Sequence, residues 1–266
     1  MHTTLSTTIA RAAAVAGLSA LAVLPSACAQ QDDAAGCKDL PVPEVQQAIV
    51  LLAPGSGDAL ASAVSSLGSG SGEPLAAAGL GLAPASDGGD APPATAVVLA
   101  TYDDRGNVDP HGTFVLTGRG NDDRVRQRSA RHEAQCLEEA ASALPSAGAE
   151  AHPDLLRSLD RASGLGSQEA GAPRTSIVAI GLGTSAIDGT TVSDLDLSTA
   201  GQAKVFDQLD AVGLVPDLSS SPVGVRFLDP SQGVGSSISA EGVDAFATAL
   251  CERIGADPCS SGPTLR

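Results

Sequence analysis

The sequence predicts an α/β fold: a three-layer sandwich with a mostly parallel central sheet of about five strands and one antiparallel edge hairpin. The first observation is that apolar, strand-like runs alternate along the chain with segments of helical periodicity. The second is that several of these runs are continuously apolar, as in strands that are buried on both faces. The third is a short, turn-rich link between the second and third runs, which predicts a hairpin.

The predicted elements follow one another in a regular order. Residues 47–53 form the first strand, 54–57 a turn, and 58–67 a helix with Leu60, Val64 and Leu67 at helical spacing. Residues 95–102 and 111–117 are the strands of the hairpin. The later elements are helices over 122–144 and 154–163, a strand over 175–180, a helix over 199–212, a strand over 222–228 and a helix over 240–254. We therefore predict one domain over 45–259, with a flexible insertion at 68–94 and a tail at 260–266.

Composition excludes several classes of protein. The 266 residues include 15 Lys and Arg against 31 Asp and Glu, for a net charge of −16. This balance argues against binding to nucleic acid or to an anionic membrane surface. Four Phe, one Tyr and no Trp are too few for a surface that stacks bases or sugars. The apolar fraction of 42% is too high for a disordered chain, which leaves an acidic globular domain.

The N-terminus reads as an export signal over residues 1–29. Arg11 precedes an apolar run at 12–24, and small residues follow it. Cleavage after Ala29 would release a free secreted protein. Cleavage before Cys28 would instead leave a lipid-anchored protein, although Pro25 stands where such sites normally carry an aliphatic residue. Both alternatives place the mature protein outside the cytoplasm, with 30–44 as a polar tether.

The number of cysteines is consistent with an exported protein. Without Cys28, four remain, and an even number in an oxidising compartment predicts two disulfides. Three pairings are possible, of which we favour Cys251–Cys259 together with Cys37–Cys136. A zinc site is disfavoured because the chain has no Cys-x-x-Cys pair.

Three stretches carry a resemblance to a known family: AIVLLAPGSGDAL, IVAIGLGTSAIDG, and LDAVGLVPDLSSSPVGVRFLDP leading into VDAFATALCERIGADPC. Together with the order of elements, they resemble the von Willebrand factor type A domain, and more narrowly the A-like domains of exported actinobacterial envelope proteins. In some of those proteins a peptidoglycan-binding domain like that of outer membrane protein A follows. This sequence ends at Arg266, and we expect no such module here.

The resemblance implies a divalent-metal site, which this sequence does not carry intact. The family builds it from Asp-x-Ser-x-Ser on the first loop, with a Thr and an Asp from other loops, and Mg²⁺ favours such oxygen ligands. Here the first loop reads Ala-Pro-Gly-Ser-Gly at 53–57, and Gly-Leu-Gly at 181–183 replaces the expected Thr-Asp-Gly. Asp58 and Asp188 lie nearby at the wrong spacing. We therefore expect a degenerate site with no metal and no cofactor.

We predict a non-enzymatic, extracytoplasmic binding module of the cell envelope. Ligands of open α/β sheets bind at the carboxyl ends of the strands. The candidate binding residues there are Ser56, Asp58, Gly183, Thr184 and Ser185. The partner would be an envelope protein or a wall component, and membrane contact would come only through a lipid anchor on Cys28.

A second candidate surface is the basic face of the long helix. Arg124, Arg128 and Arg131 lie three or four residues apart, so they share one face and form a possible docking patch for an acidic partner.

Two other functions stay open. Ser56 could be the nucleophile of a hydrolase acting on an envelope substrate, with His111, His132 or His152 as its base. The loop lacks the Gly-x-Ser-x-Gly pattern of such enzymes, which disfavours this alternative. The second open function is that of a small-molecule carrier, with a cavity between the sheet and the helices.

Overall fold

The computed structural model describes residues 45–55, 57–68, 94–116, 123–144, 153–187, 189–230 and 240–262. Its strands are β1 (Val45–Pro54), β2 (Ala94–Tyr102), β3 (Val108–Leu116), β4 (Thr175–Ile180), β5 (Ala186–Ile187), β6 (Thr190–Thr191), β7 (Val223–Leu228) and β8 (Cys259–Gly262). Its helices are α1 (Gly57–Gly68), α2 (Asp123–Ser142), α3 (Leu155–Ser163), α4 (Leu165–Ala170), α5 (Thr199–Ala211) and α6 (Ala240–Ile254).

Six strands form the main sheet in the order β3-β2-β1-β4-β7-β8. All neighbours are parallel except β2 and β3, which form the antiparallel hairpin at one edge. A separate two-stranded hairpin, β5–β6, follows β4. The predicted α/β class, the mostly parallel sheet and the antiparallel edge hairpin are confirmed.

Helices cover both faces of the sheet. On the face that we call face A, α3, α4, α5 and α6 enclose the larger core, which includes Phe206, Phe227 and Phe246. On the opposite face B, α1 and α2 cover a smaller core that includes Leu60 and Leu137. The middle of β1 is fully buried because it lies between these two layers, which explains its unbroken apolar sequence.

Local signals set the helix starts. The side chain of Asp154 accepts a hydrogen bond from the backbone N–H of Arg157 and caps α3, and Ser198 caps α5 in the same way through Gly201. The predicted boundaries of the major elements therefore lie within a few residues of the observed ones.

The main sheet has one strand more than we predicted. Residues 260–262, assigned to a tail, belong to β8, which pairs with β7 from Cys259 opposite Val225 to Gly262 opposite Leu228. The segment Cys-Ser-Ser-Gly has little strand propensity. Its disulfide to Cys251 of α6 and its pairing with β7 make it a strand. The short helix α4 and the hairpin β5–β6 also had no predicted counterpart.

Several predictions fall outside the described residues. They are the export signal at 1–29, the tether at 30–44 and almost all of the insertion at 68–94, of which only the two end residues are described. These stay predictions.

Candidate functional site

The strand order reverses direction between β1 and β4. From β1 the chain moves to β2 on one side, whereas β4 and β7 lie on the other. At such a point the loops that leave the carboxyl ends of two neighbouring strands run apart and leave a crevice, where open α/β sheets bind ligands. The segments that meet at this carboxyl edge follow β1, β2, β4 and β7.

The loops after β1 and β4 touch at Pro54 and Gly181. Gly181 adopts a left-handed conformation with φ of 79°, and a Cβ built on it would lie 2.9 Å from Cγ of Pro54. Only glycine combines that φ with so close an approach. The proline ring therefore packs directly against the backbone of Gly181.

The hydroxyl groups of the turn after β4 form hydrogen bonds within the turn itself. Thr184 Oγ1 and Ser185 Oγ both donate hydrogen bonds to the carbonyl oxygen of Gly181, at 3.0 and 2.7 Å. The backbone N–H of Gly183 donates to the carbonyl of Pro230 at 2.8 Å, which joins this turn to the loop after β7. Gly183 and Ser185 are buried and Thr184 is half-buried. Of the three predicted binding residues in this turn, only Thr184 therefore has side-chain surface to offer a partner.

Tyr102 supports this turn from the end of β2. Its hydroxyl donates to the carbonyl of Ile180 at 3.0 Å and lies 2.9 Å from Ser185 Oγ. Burial raises the pKa of Tyr102 well above its ordinary value; the bond to Ser185 lowers it somewhat, and the charge of Asp154 raises it. The phenol is therefore neutral and structural. We did not predict this role, although a lone tyrosine at a strand end could have suggested it.

The loop between β2 and β3 is held by the Asp103 carboxylate. Its two oxygens accept hydrogen bonds from the backbone N–H groups of Arg105 and Asn107, at 2.9 and 2.7 Å, and from the Asn107 side chain at 2.8 Å. Desolvation raises the pKa of Asp103, but these bonds from Asn107 and Arg105 outweigh it and hold the pKa below its ordinary value. We call residues 103–107 the hairpin tip.

The hairpin tip is clamped onto α3. The backbone N–H of Asp154 donates to the carbonyl of Asp103 at 2.9 Å, and Arg161 Nη1 donates to Asn107 Oδ1 at 2.6 Å. Gly106 has φ of 66° and lies so close to the helix that a Cβ on it would be 2.4 Å from Cβ of Arg157. These contacts hold the tip against α3, and nothing in the sequence indicated them.

Charged side chains border the crevice. Asp58, in the first turn of α1, is exposed, as are Asp104 and Arg105 on the hairpin tip. Asp229, after β7, is half-buried and has an unusual φ of 41°. Arg157 and Arg161 are also exposed beside the hairpin tip, so this edge carries both carboxylates and arginines.

This edge does not fit the metal site that the family resemblance implies. Pro54 and Gly181 carry no side-chain oxygen, and the Thr184 and Ser185 hydroxyls are directed at a carbonyl. Within the described ranges, no three His, Cys, Asp or Glu side chains come close enough together to hold a metal ion. We assign no chemistry to a metal here.

The residues of the predicted hydrolase are only partly described. Ser56 and His152 lie outside the described residues. His111 Nε2 is 2.7 Å from Thr101 Oγ1, and His132 Nε2 is 3.9 Å from Sγ of Cys136. The two described histidines thus have partners of their own, and the hydrolase stays a prediction.

The arginine patch lies on α2, which contains Arg124, Arg128 and Arg131. The side chains of these residues are outside the description. The helix α2 packs on face B beside α1.

The predicted disulfide between Cys251 and Cys259 is confirmed and links α6 to β8. Cys136 is also disulfide-bonded, to a partner outside the described residues. Cys28 and Cys37 lie outside them as well, so the pairing of Cys37 with Cys136 stays a prediction.

Comparison with known proteins leaves this α/β domain without an assigned family. No protein-family model matches the sequence, and no curated protein sequence matches it. Among the residues that the structure describes, no helix has the length and apolarity needed to cross a bilayer.

Proposed function

We propose that this chain is an exported, non-enzymatic binding domain of the cell envelope, similar to a von Willebrand factor type A domain, that contacts its partner through the carboxyl edge. One observation carries the proposal. The polar groups at the carboxyl edge, from Tyr102 and Asp103 to Thr184 and Ser185, are hydrogen-bonded within the protein and hold its loops in one arrangement. A preorganised surface binds with little loss of conformational entropy.

The order of elements supports the resemblance to the type A family. A buried strand, a helix, a hairpin, a helical segment and then alternating strands and helices follow one another along the chain. The Cys251–Cys259 disulfide supports an oxidising compartment, where such bonds persist. Fold-level likeness alone does not carry a function, so the argument depends on the loop edge.

The exposed carboxylates of Asp58 and Asp104 favour a partner surface with basic groups opposite them. Asp58 and Asp104 are exposed there, in a chain with a net charge of −16. Complementary charge speeds association and makes binding sensitive to salt. We expect the contacting surface of an envelope protein or wall component to present lysine or arginine side chains or other cations.

Site-specific cross-linking in the envelope of the host tests this proposal. A photoreactive residue is placed at Asp58, at Asp104, or at the control position Val212, which is exposed at the end of α5. Because α5 starts after the carboxyl edge and leads back to the start of β7, Val212 lies toward the opposite end of the molecule.

We expect Asp58 and Asp104 to capture the same product and Val212 not to. Capture should fall when salt is raised and when the residue that does not carry the probe is changed to Lys. Equal capture from all three positions, or none from the first two, would refute the proposal. Labelling of Ser56 by a serine-directed covalent probe would favour the hydrolase.

A further inference from the structure

The last strand of the main sheet consists of residues that do not favour a strand. β8 reads Cys-Ser-Ser-Gly, without a β-branched or aromatic side chain, and within the described ranges only β7 pairs with it. Just before β8, the carbonyl of Pro258 accepts a hydrogen bond from the N–H of Val225 at 2.9 Å. Cys259 is joined to Cys251 of α6 by the disulfide. The disulfide therefore supplies an attachment that the side chains of β8 do not.

This disulfide limits how far β8 can move when it leaves the sheet. The bond joins residues eight positions apart, so a detached β8 stays tied to α6 and gains little conformational freedom. The chain entropy of closing so short a loop corresponds to a factor of about 50 in an opening equilibrium. Reduction of the disulfide removes this restraint, and β8 then detaches more often by that factor.

The carboxyl end of β8 holds the loop after β7. The backbone N–H of Asp229 donates a hydrogen bond to the carbonyl of Gly262 at 2.9 Å. Asp229 has a φ of 41°, in the left-handed region that is unfavourable for a residue with a Cβ. Such a conformation persists only where surrounding contacts hold it. The bond to Gly262 is a contact of this kind, because it keeps the Asp229 N–H in the sheet.

The loop after β7 in turn holds the turn after β4. The carbonyl of Pro230, the residue after Asp229, accepts a hydrogen bond from the N–H of Gly183 at 2.8 Å. Gly183 lies in the turn whose hydroxyl groups bond to the carbonyl of Gly181. A continuous series of covalent and hydrogen bonds therefore leads from the disulfide through Asp229 and Pro230 to Gly183.

We infer that the Cys251–Cys259 disulfide is a redox-sensitive latch for the carboxyl edge of the main sheet. While the latch is closed, β8 stays paired and the loops after β7 and β4 keep the described arrangement. When it is open, β8 detaches more often, and Asp229 loses its bond to Gly262 and leaves the left-handed conformation. Because these loops belong to the candidate binding surface, opening the latch changes that surface. This consequence rests on the proposed function, whereas the latch itself does not.

A dithiol is the chemical class of reductant that opens the latch. One of its thiolates attacks a sulfur of the disulfide and forms a mixed disulfide, which the second thiolate then resolves. The protein gains two electrons and two protons as Cys251 and Cys259 become thiols, and the reductant leaves as a disulfide. Both cysteines are half-buried and pack against the core of face A. The bond therefore lies outside the fully buried interior.

Amide hydrogen exchange at single-residue resolution tests the latch. The double variant Cys251→Ser/Cys259→Ser represents the open state and keeps the disulfide of Cys136. The control variant Cys136→Ser breaks that other disulfide, on α2, and leaves the latch closed. The amides of Gly183 and Asp229 are the reporters, because each donates one hydrogen bond of the series. The amides in the middle of β1 are the reference.

In the double variant, we expect both reporter amides to exchange about 50-fold faster, because exchange follows the opening equilibrium. The reference amides should keep their rates, and the control variant should leave the reporters unchanged. Dithiothreitol, a small dithiol, should produce the same acceleration in the unmodified protein, and reoxidation should reverse it.

Reporter amides that keep their exchange rates in the double variant would overturn the inference. Equal acceleration throughout the sheet would also overturn it, because the disulfide would then stabilise the whole domain and not one edge. A Cys251–Cys259 bond that dithiothreitol leaves intact in the folded protein would show that the latch does not open. Since exchange is measured without a partner, failure of the latch and failure of the proposed function appear in separate experiments.

Discussion

Two glycines with the same backbone conformation should respond very differently to alanine. Gly106 on the hairpin tip and Gly171 after α4 have φ of 66° and 63°. Both are left-handed, so an alanine at either position carries a similar conformational penalty of about 1 kcal/mol. Any difference between the two variants therefore reports what surrounds the added methyl group.

The surroundings of the two positions are opposite. At Gly106 a Cβ would lie 2.4 Å from Cβ of Arg157 and 3.1 Å from the backbone nitrogen of Ser158, whereas nothing lies within 4 Å of one at Gly171. Cβ of Arg157 is fixed to the backbone of α3 and cannot rotate away. The tip must therefore lift from the helix.

Lifting the tip removes hydrogen bonds that clamp it. The bonds at risk are Asp154 N–H to the Asp103 carbonyl and Arg161 to the Asn107 side chain. Two such bonds at roughly 1 kcal/mol each bring the expected loss for Gly106→Ala to about 3 kcal/mol. For Gly171→Ala we expect about 1 kcal/mol.

Urea unfolding followed by far-ultraviolet circular dichroism, with disulfides intact, measures both values. If the hairpin tip belongs to the binding surface, cross-linking from Asp58 should also weaken in Gly106→Ala and persist in Gly171→Ala. Equal destabilisation by the two substitutions would refute the reasoning, because it would mean that the close contact with Arg157 costs nothing.

Three further predictions concern Tyr102 and Asp103. Tyr102→Phe should lower the free energy of unfolding by about 2 kcal/mol, because the buried Ile180 carbonyl loses a donor. Ser185→Ala should lower it by only about 1 kcal/mol. Equal losses of the two variants in urea unfolding would contradict this prediction. Because burial raises the pKa of Tyr102, the stability from its neutral phenol is complete below about pH 10 and declines above it by ~1.4 kcal/mol per pH unit. The phenolate absorbance of this sole tyrosine should therefore appear only as circular dichroism is lost, and an earlier rise would refute it. Because hydrogen bonds lower the pKa of Asp103, the stability that its carboxylate contributes is complete above the ordinary Asp pKa and is lost as pH falls through the lowered pKa. The Asn107 amide should then lose its protection from hydrogen exchange. Unchanged protection in acid would contradict this prediction.

The arrangement of the major elements could be predicted because it depends on local patterns. The continuous apolar run of β1 indicates burial on both faces, and Asp154 and Ser198 stand at the starts of α3 and α5 as caps. The Cys251–Cys259 pairing was favoured because the two residues are close in sequence, and it is present.

The candidate site could be predicted only in outline. The loops after β1 and β4 were expected at the carboxyl edge, since the topology of a parallel sheet brings them there. Which side chains face outward was not predictable. Ser185 appeared to be a surface hydroxyl, but its position next to Tyr102 and the Gly181 carbonyl buries it.

The sequence by itself determined the class of fold, the antiparallel hairpin and one disulfide, because periodicity, turn residues and cysteine spacing act over a few neighbouring residues. The tertiary structure alone decided that the polar Cys259–Gly262 segment becomes a strand and that Gly106 lies against Arg157. It also decided that a bulge at His111 interrupts the pairing of β3 with β2. These features depend on contacts between residues far apart in the chain, which no local pattern records.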